Sequence, residues 1–254
     1  MEISLTIIAV LCFFYFVAGV VDSIAGGGGL ITTPVLLLCG IPPHATLGTN
    51  KFATTIGTLS SVWAFARSHL IVTRIAPMGF ASAFLGSMAG SGLAMLLDSA
   101  VLGKAMVFLL PIGMAISVFS GRSFGSDEEL PQKGLWTKVI LMGFCIGMYD
   151  GFFGPGTGSF FILAQHLLLK MGLVKASATA KVFNLASNAG GLVVFASGGV
   201  VLYAAAIPGA IANIIGNQIG TRLAIKVGPS VVKKFLYVSL SLLLCTLFYR
   251  FFLS

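Results

Sequence analysis

The chain has 254 residues, 57% of them hydrophobic and only 9% charged, with a mean hydropathy of +1.03. A soluble domain carries about 25% charged residues, so this composition excludes a water-soluble globular protein. The apolar runs do not alternate, which excludes a membrane β-barrel, and the net charge of +8 comes from basic residues spread over loops rather than from a nucleic-acid footprint.

Apolar segments near the roughly 20 residues needed to cross a bilayer are predicted in chain order at 3–21, 30–41, 45–66, 75–97 and 101–120. A second series follows at 137–153, 158–170, 176–197, 201–223 and 232–252. The first has no basic leader, since Glu2 is its only early charge, and further segments follow it, so it reads as a span rather than a secretory signal. The second segment of each series is short and directly follows a glycine-rich break: Gly26, Gly27, Gly28 and Gly29 in the first half, and Gly154, Gly156 and Gly158, with Thr157 between the last two, in the second. The longest polar stretch, Gly121 to Lys138, contains "SDEEL" and supplies a linker at 121–136 between units at 1–120 and 137–254, placed in the cytoplasm.

The two series are copies. "GVVDSIAGGGGLIT" from Gly19 aligns with "GMYDGFFGPGTGSF" from Gly147, which places Asp22 on Asp150. "GTNK" ending at Lys51 aligns with "ATAK" ending at Lys181, and "GSMAGSGLA" from Gly86 with "GNQIGTRLA" from Gly216. Charges set the relative orientation of the copies. The loop after the third segment holds Arg67 and Arg74 in the first half, but its counterpart, Ser197 to Val200, is uncharged. The next loop reverses the contrast: Asp98 and Lys104 face Arg222, Lys226, Lys233 and Lys234. Lysine and arginine mark the cytoplasmic side, so equivalent loops lie on opposite faces. The expected fold is an all-α polytopic membrane protein of two inverted tandem repeats, each of about five segments, with both termini outside; such repeats are common in transporters.

Non-helical backbone at membrane depth is tolerated only where protein or a water-filled cavity surrounds it. Two glycine breaks related by inversion would direct the positive ends of the short helices towards each other near the midplane, a geometry suited to a small anion. The competing reading is that the glycines only permit tight packing, as Gly86/Gly90 and Gly216/Gly220 do at GxxxG spacing. Within the third segments, Lys51 shares a helical face with Thr54 and Thr58, and Lys181 shares one with Asn184 and Asn188. Charges inside a span face a cavity or a partner; snorkelling to the interface is the alternative. Asp22 and Asp150 are helix caps, partners for the lysines in the cross-repeat sense Asp150–Lys51 and Asp22–Lys181, or carriers of a coupling proton. Cys12, Cys39, Cys145 and Cys245 are isolated, and no metal-ligand spacing or cofactor motif occurs.

"DSIAGGGGLITTP", "GTNK", "YDGFFGPGTGSF" and "ATAKVFNLASN", in this order over essentially the whole chain, resemble the TauE/SafE sulfite exporter (TSUP) family, in wording closest to its YfcA-like branch. The resemblance implies a multi-pass protein of the prokaryotic cytoplasmic membrane that moves sulfite, sulfonates or other organic anions. Together with the residues, it leads to the expectation of a secondary transporter rather than an enzyme. Gly26–Gly29, Lys51, Thr54, Gly154, Gly156–Gly158, Lys181, Asn184 and Asn188 are expected to bind the anion, with Asp22 and Asp150 as coupling candidates. The expected partners are the anion, the bilayer, protons as a candidate coupling ion and a second copy of the chain as a candidate; nucleic acid is not among them. An anion channel and an intramembrane enzyme of sulfur metabolism are the alternatives.

Overall fold

The computed structural model describes residues 4–106, 130–131 and 133–227. The remainder of the 101–120 segment beyond residue 106, most of the 121–136 linker and the 232–252 segment lie outside the described residues. Among those described, the chain is helical without strands: α1 Leu5–Ala25, α2 Gly29–Leu38, α3 Pro43–Arg67, α4 Ala76–Met95, α5 Leu135–Phe152, α6 Thr157–Leu169, α7 Leu173–Ser197 and α8 Tyr203–Val227. Residues 99–106 are also helical.

Local chemistry sets the boundaries. Ser4 caps α1 by accepting the Ile7 N–H at 3.3 Å, and Pro43 opens α3, where a missing N–H costs nothing. The first helix runs past Asp22 and stops at Gly26, whose left-handed φ of 76° lets its N–H return to the Asp22 carbonyl at 2.8 Å. Asp22 therefore sits in the last turn of α1 rather than beyond it. The helices after the glycine breaks are short, at 10 and 13 residues. At 1.5 Å per residue they extend about 15 and 20 Å, against about 30 Å of hydrocarbon.

The bundle is apolar outside and polar within. Ile207, Ile211, Ile215 and Ile219 form an exposed stripe along α8, and Leu59 and Trp63 stand out from α3. Lys51, Lys181, Asp150, Asn217 and Thr221 are buried. Taken alone, two helices among the described residues, Leu5–Ala25 and Ala76–Met95, are long and apolar enough to cross a membrane. The third and seventh helices dilute their hydropathy with inward-facing polar residues while keeping apolar residues on the outside.

The halves pack by exchange. The first helix lies on α8 and α4 lies on α5; α3 meets α8 and α7 meets α4; α3 and α7 meet each other. Swapping the halves exchanges the first two contacts with each other and the next two with each other, and maps α3–α7 onto itself. Two hydrogen bonds fix the sense of the central pair. Thr179, near the start of α7, accepts the Val72 N–H just beyond α3 at 3.0 Å, and Thr49, near the start of α3, accepts the Leu202 N–H just beyond α7 at 3.0 Å. The third and seventh helices are therefore antiparallel. Gly57 packs against Asn213, and Ser61, one turn on, bonds both Asn217 (2.7 Å) and Thr221 (2.9 Å), so α3 and α8 run the same way. Lys138 donates to the Leu168 carbonyl at 3.3 Å. These contacts gather Arg67, Arg74, Lys138, Lys170, Lys175, Arg222 and Lys226 at one end of the bundle. The opposite end, around 39–42, 96–100 and 198–202, contains Asp98, with Lys104 on the helix that leads from it.

The GxxxG glycines form the α4–α5 and α1–α8 seams. A Cβ on Gly86 would strike the Phe144 carbonyl, and one on Gly90 the Met148 carbonyl; Gly216 and Gly220 meet the Phe16 and Val20 carbonyls in the same way. The packing role expected for these four residues is what the geometry gives. Gly86→Ala and Gly216→Ala should each destabilise the purified protein by about 1–3 kcal/mol, because backbone rather than a mobile side chain blocks the added carbon. Gly92, with open space around its Cβ position inside the same helix, is the control, and Gly92→Ala should not lower the melting temperature, since alanine is the better helix former.

Candidate substrate site

The two glycine breaks meet at the centre of the bundle. Gly26 Cα lies so close to Gly158 that a Cβ on either residue would overlap the other's backbone. Ser159 donates to the Ala25 carbonyl (2.5 Å) and Ser177 to the Ile24 carbonyl (3.2 Å), tying the end of α1 to α6 and α7. The Tyr149 hydroxyl donates to the Pro155 carbonyl (2.8 Å) and the Thr157 hydroxyl to the Gly154 carbonyl (2.6 Å), which hold the second break in shape.

Around this junction stand two ion pairs, each joining one half of the chain to the other. Lys51 Nζ lies 2.6 Å from Asp150 Oδ2, and Lys181 Nζ lies 2.8 Å from Asp22 Oδ2. This is the cross-repeat pairing anticipated from depth. Both lysines stand eight residues into their helices (51 − 43 and 181 − 173), or about 12 Å along the axis. Because α3 and α7 are antiparallel, the Lys51–Asp150 pair lies nearer the sparsely charged end and the Lys181–Asp22 pair nearer the basic end. Snorkelling does not describe these lysines, which are 2% and 0% exposed.

Between the breaks is a cavity of about 20 Å³, lined by Asp22, Gly26, Gly29, Asn50, Lys51, Thr54, Asp150, Gly154, Gly158, Asn184 and Asn188. That volume holds about one water molecule. Lys51 also donates to Asn188 Oδ1 at 3.2 Å, the Thr54 hydroxyl reaches the same oxygen at 3.1 Å, and Asn188 donates to Asn184 Oδ1 at 3.4 Å.

The structure divides the residues singled out from the sequence. Gly27, Gly28, Gly156, Thr157 and Lys181 are buried away from the cavity lining. The Gly26 N–H is bonded to the Asp22 carbonyl and the Gly28 N–H to Asp22 Oδ1 at 3.4 Å, so neither amide is directed to an anion. Their role is close approach: a Cβ on Gly28 would lie 2.7 Å from Asp22 Cβ. The half-buried glycines of the lining are Gly29 and Gly154. At Gly154, a Cβ would sit 3.4–3.7 Å from Asp150 and Lys51, in ordinary contact, but its φ of 95° favours glycine.

Asn50 was not foreseen. It lines the cavity and accepts the Thr32 hydroxyl at 2.7 Å. Its equivalent in the second half is Ala180, so the duplication gave no signal; adjacency to Lys51 within "GTNK" was the available clue. Among the described cysteines, Cys12, Cys39 and Cys145, none lines the cavity.

A helical bundle with an apolar exterior, a polar cavity at its centre and buried charges paired across two duplicated halves belongs to the class of membrane transport proteins. The family model described as "Sulfite exporter TauE/SafE" matches residues 11–247, and the chain belongs to that family. A probable membrane transporter protein, ORF9, of Sinorhizobium sp is 36% identical over 93% of this chain and 90% of its own length. The probable membrane transporter protein YfcA of Escherichia coli K12 is 32% identical over 97% and 91%, and a probable membrane transporter protein of Haemophilus influenzae is 35% identical over 92% and 91%. No solved structure matches the chain.

Removing one partner of a buried ion pair leaves an uncompensated charge, which costs about 3–5 kcal/mol. Lys181→Met should therefore melt well below the native protein, whereas Lys181→Met combined with Asp22→Leu should recover most of the loss. A thermal-melt double-mutant cycle on the detergent-solubilised protein checks this. Additive losses would show that the pair contributes no coupling energy.

Proposed function

We propose that the chain is a secondary transporter of a small anion, a sulfur oxyanion or organosulfonate, in a prokaryotic cell membrane, working by alternating access between two inverted repeats. The observation that carries this reading is the small polar cavity held between the two glycine breaks, with Lys51 in its wall. Its lining suits an oxyanion: an ammonium, the Thr54 hydroxyl, the amides of Asn50, Asn184 and Asn188, and backbone at Gly29 and Gly154. The second and sixth helices begin at the breaks, and the positive ends of their dipoles add attraction for negative charge.

The antiparallel α3 and α7 support inversion, because a half-turn that reverses equivalent helices has its axis in the membrane plane. The gathering of basic residues at one end supports placing that end in the cytoplasm and α1 beginning outside. A cavity with room for about one water is too small for a sulfite-sized ion, so entry requires one repeat to move against the other. The family name and the names of the relatives favour transport of a sulfur anion over chemistry upon it. Asp22 and Asp150, the carboxylates in the cavity lining, are the candidate carriers of a coupling proton.

Flux into proteoliposomes is the test, comparing sulfite, thiosulfate, sulfoacetate, taurine and methanesulfonate with acetate as control. At least one sulfur anion should exchange at a rate well above acetate, and Lys51→Ala should reduce that exchange at least tenfold. Lys51→Arg should restore only part of it, because the planar guanidinium differs in shape and hydration from the ammonium. Exchange of no anion would overturn the reading, and large unitary currents would replace it with a channel.

Topology has its own check. In a cysteine-free background, single cysteines in the Ser197–Val200 loop should label from outside, and those between Arg67 and Arg74 only from the cytoplasm. Labelling of both loops from one side would rule out inversion.

A further inference from the structure

We infer that the Lys51–Asp150 pair is where anion and proton enter together: the anion takes the carboxylate's place at Lys51 Nζ, and Asp150 accepts one proton. This rests on the transport reading above. The starting point is charge. Lys51, Lys181, Asp22 and Asp150 sum to zero when all four are ionised. Among the described residues, no other charged side chain reaches the centre from the helices packed around Asp150. The fourth helix has none; α5 adds Lys138 in its first turn and the Tyr149 hydroxyl, which is bonded to Pro155. The sixth helix has His166 near its far end, where Nδ1 meets the Met171 carbonyl; α7 has Lys175 in its first turn; α3 has His44 and Arg67 at its two ends. An anion entering this neutral site would leave one negative charge uncompensated in a low-dielectric interior, and such a charge is costly to bury. One proton on a carboxylate restores neutrality.

The two carboxylates are not held alike. Asp22 is fixed at both oxygens, Oδ2 by Lys181 at 2.8 Å and Oδ1 by the Gly28 N–H at 3.4 Å. Its lysine is fully buried and does not line the cavity. Among the described residues Asp150 has Lys51 as its one ion-pair partner, through Oδ2, and both members of this pair line the cavity. Lys51 has a second acceptor, Asn188 Oδ1, that does not titrate. The ammonium can therefore exchange the carboxylate for an incoming oxyanion while Asn188 holds it in the wall. As it leaves, the Asp150 carboxylate forms an O–H bond with a proton from the aqueous phase that supplies the anion, and no covalent bond to the anion forms or breaks. The Lys181–Asp22 pair stays closed and holds the halves together. Movement of a monovalent anion becomes electroneutral symport, which the membrane potential neither drives nor opposes.

The test is titration calorimetry of the protein in nanodiscs with methanesulfonate, and in parallel with ethanesulfonate. Both ions are monovalent and keep their charge near neutral pH. Repeating the titration in buffers of different ionisation heat gives the protons taken up per anion bound. The native protein should take up about one, and its apparent affinity should fall about tenfold per pH unit as pH rises through the range where free Asp150 is ionised. D150N, a fixed mimic of the protonated acid, should take up none, with an affinity that no longer follows pH. The K181M/D22L double variant, which removes the other pair without changing the net charge of the site, should still take up one. Binding without proton uptake by the native protein overturns the proposal and leaves the transporter reading standing; uptake that survives in D150N or disappears in K181M/D22L overturns the assignment to Asp150. If D150N does not fold, the native stoichiometry and pH slope decide alone. If the native protein neither binds these ions nor exchanges any anion of the flux panel, the transporter reading itself fails and the proposal falls with it.

Discussion

A charged group buried among helices that face lipid must be matched by an opposite charge, since no water is at hand to solvate it. Lys51, Lys181, Asp22 and Asp150 are each at most 7% exposed, and the rest of the bundle is arranged so that all four are matched. Each pair takes its lysine from a long central helix of one half and its aspartate from the first helix of the other. The two halves cannot separate without breaking both pairs, and neither half can complete a pair by itself. The duplication is thus more than a repeat of sequence: in this fold each copy supplies what the other lacks.

Meeting that constraint requires backbone to approach backbone closely, and here the glycines divide into two kinds of work. Gly86, Gly90, Gly216 and Gly220 bring α4 against α5 and α8 against α1, fixing the helices that carry the aspartates. Gly26, Gly28 and Gly158 bring the two chain breaks together and leave room for the Asp22 side chain. Only after this packing is complete does a small space remain, bordered by Gly29 and Gly154. Packing and lining are therefore not alternatives within a cluster: Gly28 packs, Gly29 and Gly154 border the space, and Gly26 and Gly158 do both.

The exchange symmetry holds for the framework and lapses at the cavity. The paired threonines that bond the loops, Thr49 to Leu202 and Thr179 to Val72, are equivalent, as are the ion pairs and the glycine seams. At the lining, Asn188 reaches Lys51 whereas its counterpart Thr58 is buried with its hydroxyl unpartnered among the described residues. Asn50 corresponds to Ala180.

Some of this was already written in the amino-acid order. Hydropathy, glycine punctuation and proline position are local properties, so the all-helical class and the eight helices described fall within a few residues of the segments read from sequence. The lysine and arginine asymmetry between duplicated loops made the cross-repeat partners Lys51–Asp150 and Lys181–Asp22 one of three readings of the aspartates, beside helix caps and proton carriers, because depth along antiparallel helices follows from counting residues; the structure contains both pairs. The end of α1 was misjudged, since a run of hydropathy stops at the aspartate whereas the hydrogen bonds continue to Gly26. Which glycine packs and which faces the cavity, the place of Asn50, and the exclusion of Lys181 from the lining were decided only in three dimensions. Each depends on which face of one helix meets a neighbour more than a hundred residues away, and no local pattern in the sequence encodes that rotation.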